Sequence, residues 1–70
     1  MTNEFHYRGC VIRANPRSSN GGWTHHGVVQ HLLGYAADDH LFSAPGWSAT
    51  RDGAVKVIVV CGRRIIDERL

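Results

Sequence analysis

The chain has 70 residues, of which 43% are hydrophobic and 20% charged, with a formal net charge of +2. It is too short for more than one domain, so residues 1–70 read as a single unit, and too apolar for a disordered chain. The excess charge is mild and lies in the first half, where Arg8, Arg13 and Arg17 face only Glu4; a dedicated nucleic-acid binder would carry a basic stripe. No apolar run approaches the roughly 18 residues of a membrane span. Met1-Thr2-Asn3-Glu4 lacks the basic-then-apolar order of a signal peptide, so a cytoplasmic protein is expected.

Residues 5–14 read as a strand, rich in aromatic and β-branched side chains (Phe5, Tyr7, Val11, Ile12) and stopped at Asn15-Pro16. Residues 16–22 are a turn by composition, and residues 23–33 read as the returning strand of a hairpin. Along that second strand Trp23, His25, Gly27, Val29, His31 and Leu33 share one face, and Thr24, His26, Val28, Gln30 and Leu32 the other. Neither face is cleanly apolar, so the alternation leaves open which one meets the core. Gly9 and Gly27 mark a bulge or a close approach of backbone. Residues 34–39 are a connection and residues 40–44 a short third strand. Pro45-Gly46 ends that strand, and Trp47 is expected to plug the edge of the core.

The last segment can be read in two ways. Asp52-Gly53 between apolar runs is a strong hairpin signal, and Val55, Val57, Ile58, Val59 and Val60 favour a strand. Against this, Thr50 is a good N-cap and Asp52 suits the positive end of a helix. Ala54, Ile58, Cys61 and Ile65 fall on one line of a helix, and Val55, Val59, Gly62 and Ile66 on the next. The opposite side collects Asp52, Lys56, Arg63 and Asp67, with Asp52–Lys56 spaced as a favourable i,i+4 pair. The periodicity favours a helix over residues 51–67, with Gly62 a point at which it can loosen or end. The expected fold is therefore α+β, a three-stranded antiparallel sheet (β-β-β-α) with one long C-terminal helix packed on it.

Tyr7-Arg8-Gly9, Gly22-Trp23, and the run Trp47…Thr50-Arg51-Asp52…Ala54…Gly62-Arg63…Ile66-Asp67 resemble a pattern in a family of small uncharacterised proteobacterial proteins. That family has a YRG strand, a GGW-type strand and a helix of the T-R-E-E-A…G-R-x-I/W-I-D kind. The resemblance covers most of the chain. This sequence departs from it at Gly53, where a Glu is usual, and in its helix valines. The resemblance implies the topology and no activity. The order β-β-β-α is also similar to that of HicB-like antitoxin domains and of the sheet-plus-helix half of double-stranded-RNA-binding domains, at the level of fold alone.

Five histidines are the oddest feature of the composition. His25 and His26 are adjacent and point to opposite faces of a strand; across the hairpin, His6 could oppose His31, or Cys10 could oppose His26, depending on register. None of these spacings matches a closed zinc site, so no metal or other cofactor is expected. Cys10 and Cys61 belong to no C-x-x-C pair and read as buried thiols; they could form a disulfide only if strand and helix meet there. Neither thiol sits in an electropositive exposed setting, Asp38-Asp39 and Asp67-Glu68 are unconvincing carboxylate pairs, and so short a chain leaves little room for a cleft. The chain is not expected to be an enzyme or to take a small-molecule substrate.

The apolar arc of the helix, from Val57 through Ala54 to Val59, spans roughly 200°, about twice what one sheet face needs. Either a protein partner or second copy covers the surplus, through Val57, Val59, Val60 and Ile66, or loop residues such as Tyr35 and Trp47 do. The first expectation is accordingly a small binding or interaction module. The alternative is weak binding of RNA or DNA through Arg8, Arg13, Arg17, Trp23, Arg63 and Arg64, since arginine–aromatic mixtures on a sheet can stack bases and hold phosphates.

Overall fold

A computed structural model describes residues 3–31 and 39–69. In chain order these form β1 (Asn3–Tyr7), β2 (Cys10–Ala14), β3 (Arg17–Ser19), β4 (Gly22–His31), β5 (His40–Ser48) and α1 (Arg51–Arg69). The architecture is α+β, with one antiparallel sheet and one C-terminal helix, as expected, but the sheet has five strands where three were expected. β4 is its centre. It pairs along one edge with β2 and then β3, and along the other with β5, while β1 extends the sheet beyond β2.

The additional strands come from one turn that composition conceals and from a short strand inside a segment that composition marks as loop. The expected single strand over residues 5–14 is two, folded back at Arg8-Gly9. Arg8 (φ 49°) and Gly9 (φ 76°) both have positive φ, the mirror-image turn whose twist suits a two-residue hairpin. Glycine takes that geometry readily and arginine does not, so the usual Asn-Gly or Asp-Gly cue is missing. Asn20 (φ 47°) and Gly21 (φ 81°) form the same turn with the standard residues, and β3 occupies positions expected to be loop. Pro16 does interrupt pairing as its missing N–H requires: β2 stops at Ala14, Asn15 N donates to His26 O at 2.8 Å, and β3 resumes at Arg17.

β4 begins at Gly22 and is described to His31; Leu32 and Leu33, and the connection through Asp38 with Tyr35 in it, lie outside the described residues. β5 is longer than expected. It runs through Pro45-Gly46 to Ser48, because those two residues bulge out of the ladder: Thr24 faces Trp47 while the adjacent His25 faces Ala44. Gly46 supplies the positive φ of 86°, and Pro45 sits where an edge strand tolerates a missing donor.

Register decides the face that alternation left open. Phe5, Tyr7, Cys10, Ile12, His25, Gly27, Val29 and Phe42 look toward α1. From the helix, Ala54, Ile58, Val59, Gly62 and Ile66 are buried against them. Two glycines set the closeness of the layers. A Cβ built on Gly62 would lie 2.8 Å from Ile12 Cγ2, and one on Gly27 would lie 2.7 Å from both Ile58 Cγ2 and Phe42 Cζ. Gly62 therefore neither loosens nor ends α1; it lets the helix backbone approach β2.

The helix reading of the last segment holds, and Asp52-Gly53 is its first turn instead of a hairpin. Thr50 caps it: Gly53 N donates to Thr50 Oγ1 at 3.0 Å, and Ala54 N to Thr50 O at 3.1 Å. Once the cap fixes the first turn, burial of Ala54, Ile58, Val59 and Ile66 against the sheet outweighs the β preference of the valines. Among the described residues no helix is long and apolar enough to cross a membrane.

Candidate functional site

The two-layer fold has two outer surfaces, the far side of α1 and the far face of the sheet. On α1, Val57 is 37% and Val60 60% exposed. They and Cys61 form a shallow apolar groove rimmed by Lys56 and Arg64. A second groove runs from Val60 and Lys56 past Val55 and Arg63 to Phe5 of β1. Val60 is the ridge between the two. Of the four residues expected to meet a partner, Val57 and Val60 face outward, while Val59 and Ile66 are buried against the sheet. The surplus of the apolar arc is thus narrower than the sequence pattern implies. Trp47, expected at the edge of the core, does not cover it either: it is 68% exposed and pairs with Thr24, on the sheet face away from α1.

The basic rim carries uncompensated charge. The spacing Asp52–Lys56 suggests an ion pair, but among the described residues the ion pairs are Arg8–Asp67 at 2.8 Å and Arg13–Glu4 at 2.9 Å. Lys56 and Arg64 take no part in either.

The arginines and tryptophan considered for nucleic acid do not assemble into one surface. Arg8 and Arg63 meet at Tyr7: the Tyr7 hydroxyl donates to Asp67 Oδ1 and Oδ2 at 2.9 and 3.0 Å, Arg8 donates to Asp67 Oδ1 at 2.8 Å, and the Arg63 guanidinium stands 5.5 Å from the centre of the Tyr7 ring. The bonds from Arg8 and then Tyr7 hold the Asp67 carboxyl below the usual carboxylate range. The bond to Asp67 raises the Tyr7 phenol, because ionisation would remove the proton that Asp67 accepts. This cluster ties the end of α1 to the β1–β2 turn. Arg64 lies on the helix groove, Trp23 on the helix side of the sheet, and Arg13 and Arg17 on the far face.

The histidines and thiols are dispersed. Register pairs Cys10 with His31 and His6 with Val11, and among the described residues no group of three or more His, Cys, Asp or Glu side chains could hold a metal ion. Cys10 is buried, Cys61 is half-buried, and no disulfide joins them. His25 is 5% exposed, and its Nε2 lies 2.8 Å from Ser48 Oγ. Its Nδ1 has no hydrogen-bond partner among the described residues.

No protein-family model matches the chain, and none of the curated proteins or solved structures compared with it is detectably similar.

Proposed function

We propose that this protein is a small interaction module that binds another protein through the outer face of α1. The observation that carries the reading is the exposure of Val57 and Val60 on a helix whose inward face already fills the sheet. A shallow apolar strip with a charged rim is the form that a groove-and-helix or helix-and-helix contact takes.

Charge favours a different protein over a second copy. An antiparallel two-fold pairing of α1 centred on Val60 would set Lys56 against Arg64 and Asp52 against Glu68, like against like at both ends. A partner offering acidic residues beside apolar ones would meet Lys56, Arg63 and Arg64 favourably.

Affinity capture from the source cell tests this, comparing the native chain with Val60→Glu and with the paired reversal Lys56→Glu, Arg64→Glu. A partner that both variants lose, and that acidic-residue substitutions in the partner also release, is expected. If both variants retain whatever the native chain retains, α1 is not the docking face. Sedimentation of the purified chain at high concentration should show a monomer; a dimer dispersed by Val60→Glu would replace the foreign partner with a second copy.

A further inference from the structure

The sheet face turned away from α1 has a different chemistry, and we infer that it binds single-stranded nucleic acid. Trp47, Thr24 and Arg17 stand in one row across β5, β4 and β3. With strands about 4.8 Å apart, the row places the indole and the base of the arginine side chain roughly 10 Å apart. The Trp47 ring rests on Gly22: a Cβ built there would come within 2.5 Å of Trp47 Cε3. Glycine is thus what lets the indole lie against the sheet, and the ring remains 68% exposed. An aromatic plane braced from beneath and open above is a stacking platform for a base.

Hollows flank the row on both sides. One is bounded by Ser19, Asn20, Thr24, Gly46 and Trp47, and the other includes Asn15, Arg17, His26 and Ser43. Both offer hydroxyl and amide groups beside the platform, and the second adds the His26 imidazole.

The charge of the sheet selects an anion. Across all five strands the only acid is Glu4, and Arg13 pairs with it at 2.9 Å. Arg17 is exposed and has no acidic partner among the described residues. A base on Trp47 leaves its phosphates within reach of Arg17, while neighbouring bases meet His26 and Asn20. The face thus keeps Arg17 from the set that the sequence suggested and replaces Trp23 with Trp47.

The test is fluorescence anisotropy of labelled oligo(dT) and oligo(U) of about ten nucleotides, inside the ~4–16 that one small sheet domain covers, titrated with the full chain over a range of salt. Binding at low salt is expected, with Trp47→Ala about tenfold weaker and Trp47→Phe retaining most of the affinity. Arg17→Ser should lower the slope of log K against log salt by about 0.7, while the charge-matched Arg69→Ser, at the far end of the helix, leaves it unchanged. Circular dichroism of each variant confirms that it is folded. Absence of binding at low salt overturns the inference. So does equal weakening by Arg17→Ser and Arg69→Ser with Trp47→Ala unaffected, which would be the diffuse attraction of a basic protein.

Discussion

Gly62→Ala isolates the contact that sets the spacing of the two layers. In a helix interior, Ala is favoured over Gly by about 1 kcal/mol, so propensity alone predicts a more stable protein. The structure opposes this. The new Cβ would lie 2.8 Å from Ile12 Cγ2 and 3.0 Å from both Cγ1 and Cδ1, and Ile12 is fully buried in the core with its β-branched side chain restricted. Overpacking of this kind costs about 1–3 kcal/mol. The net expectation is a loss of about 0–2 kcal/mol, which for a domain of this size lowers the melting temperature by ~4–8 °C per kcal/mol. Urea denaturation followed by circular dichroism measures it, with an unchanged m-value showing that the native state stays compact. A rise in the midpoint would refute the close approach. Ile12→Ala supplies the complement, because it removes all three atoms that the new methyl would strike. In that background Gly62→Ala should reverse sign and stabilise by up to about 1 kcal/mol. Ile12→Ala alone costs ~2–5 kcal/mol, so the pair is best measured in trimethylamine oxide, which favours the compact state.

Three further outcomes follow from the same geometry. Gly53→Glu restores the partner that a Thr50 cap uses in a capping box and removes a helical glycine; thermal melting should shift upward by an amount corresponding to about 1 kcal/mol, and a lower midpoint would show that the tight 3.1 Å approach to Thr50 Oγ1 dominates. Ser48→Ala leaves the imidazole of the buried His25 without its hydroxyl partner, and should cost about 1–3 kcal/mol in urea unfolding, against no change if that bond is dispensable. Asp67 is held below its ordinary range in the folded chain, so its contribution is present above about pH 4 and is lost as the pH falls through the lowered value; Tyr7 is raised, so its contribution is present below about pH 10 and is lost as the pH climbs through the raised value. The stability difference between the native chain and Asp67→Asn should therefore be flat through neutrality and shrink in acid, and a difference that persists into strong acid would remove the clamp.

How much of this was legible depended on whether local chemistry or register carried the information. The helix was readable because a cap, a dipole-matched acid and a repeating apolar line all lie within one segment. Asn20-Gly21 marked a turn for the same local reason. The Arg8-Gly9 turn was not readable, because arginine stands where Asn or Asp would signal the turn, and its side-chain partner Asp67 is at the other end of the chain. The burial of His25 was hidden in a similar way: its face of β4 alternates with one of nearly equal polarity, and only pairing with β2 and the contact between Gly27 and Ile58 decide which side the helix takes. Trp47 was misplaced because Pro45-Gly46 reads as a stop. In the fold it is a bulge that carries the strand onward and turns the indole out over Gly22.

These same misreadings explain why the candidate surfaces differ from the expected ones. A helix read in isolation shows every apolar residue it has, and Val59 and Ile66 are subtracted only when the sheet is known. What remains at Val57 and Val60 is too narrow to act as a second core, yet it is bounded on its open sides by Lys56, Arg63 and Arg64. The sheet shows the converse. Its far face looked undistinguished while Trp47 was assigned to the interior; with the indole outside, braced on glycine and in line with Arg17, that face sets an open aromatic plane beside a cation with no acidic partner among the described residues. Two unlike surfaces on opposite sides of a thin domain can be occupied at once. Loss of oligonucleotide binding in Trp47→Ala with protein capture intact, and the reverse for Val60→Glu, would show that a chain of this size joins a protein to a nucleic acid without either contact crossing the core.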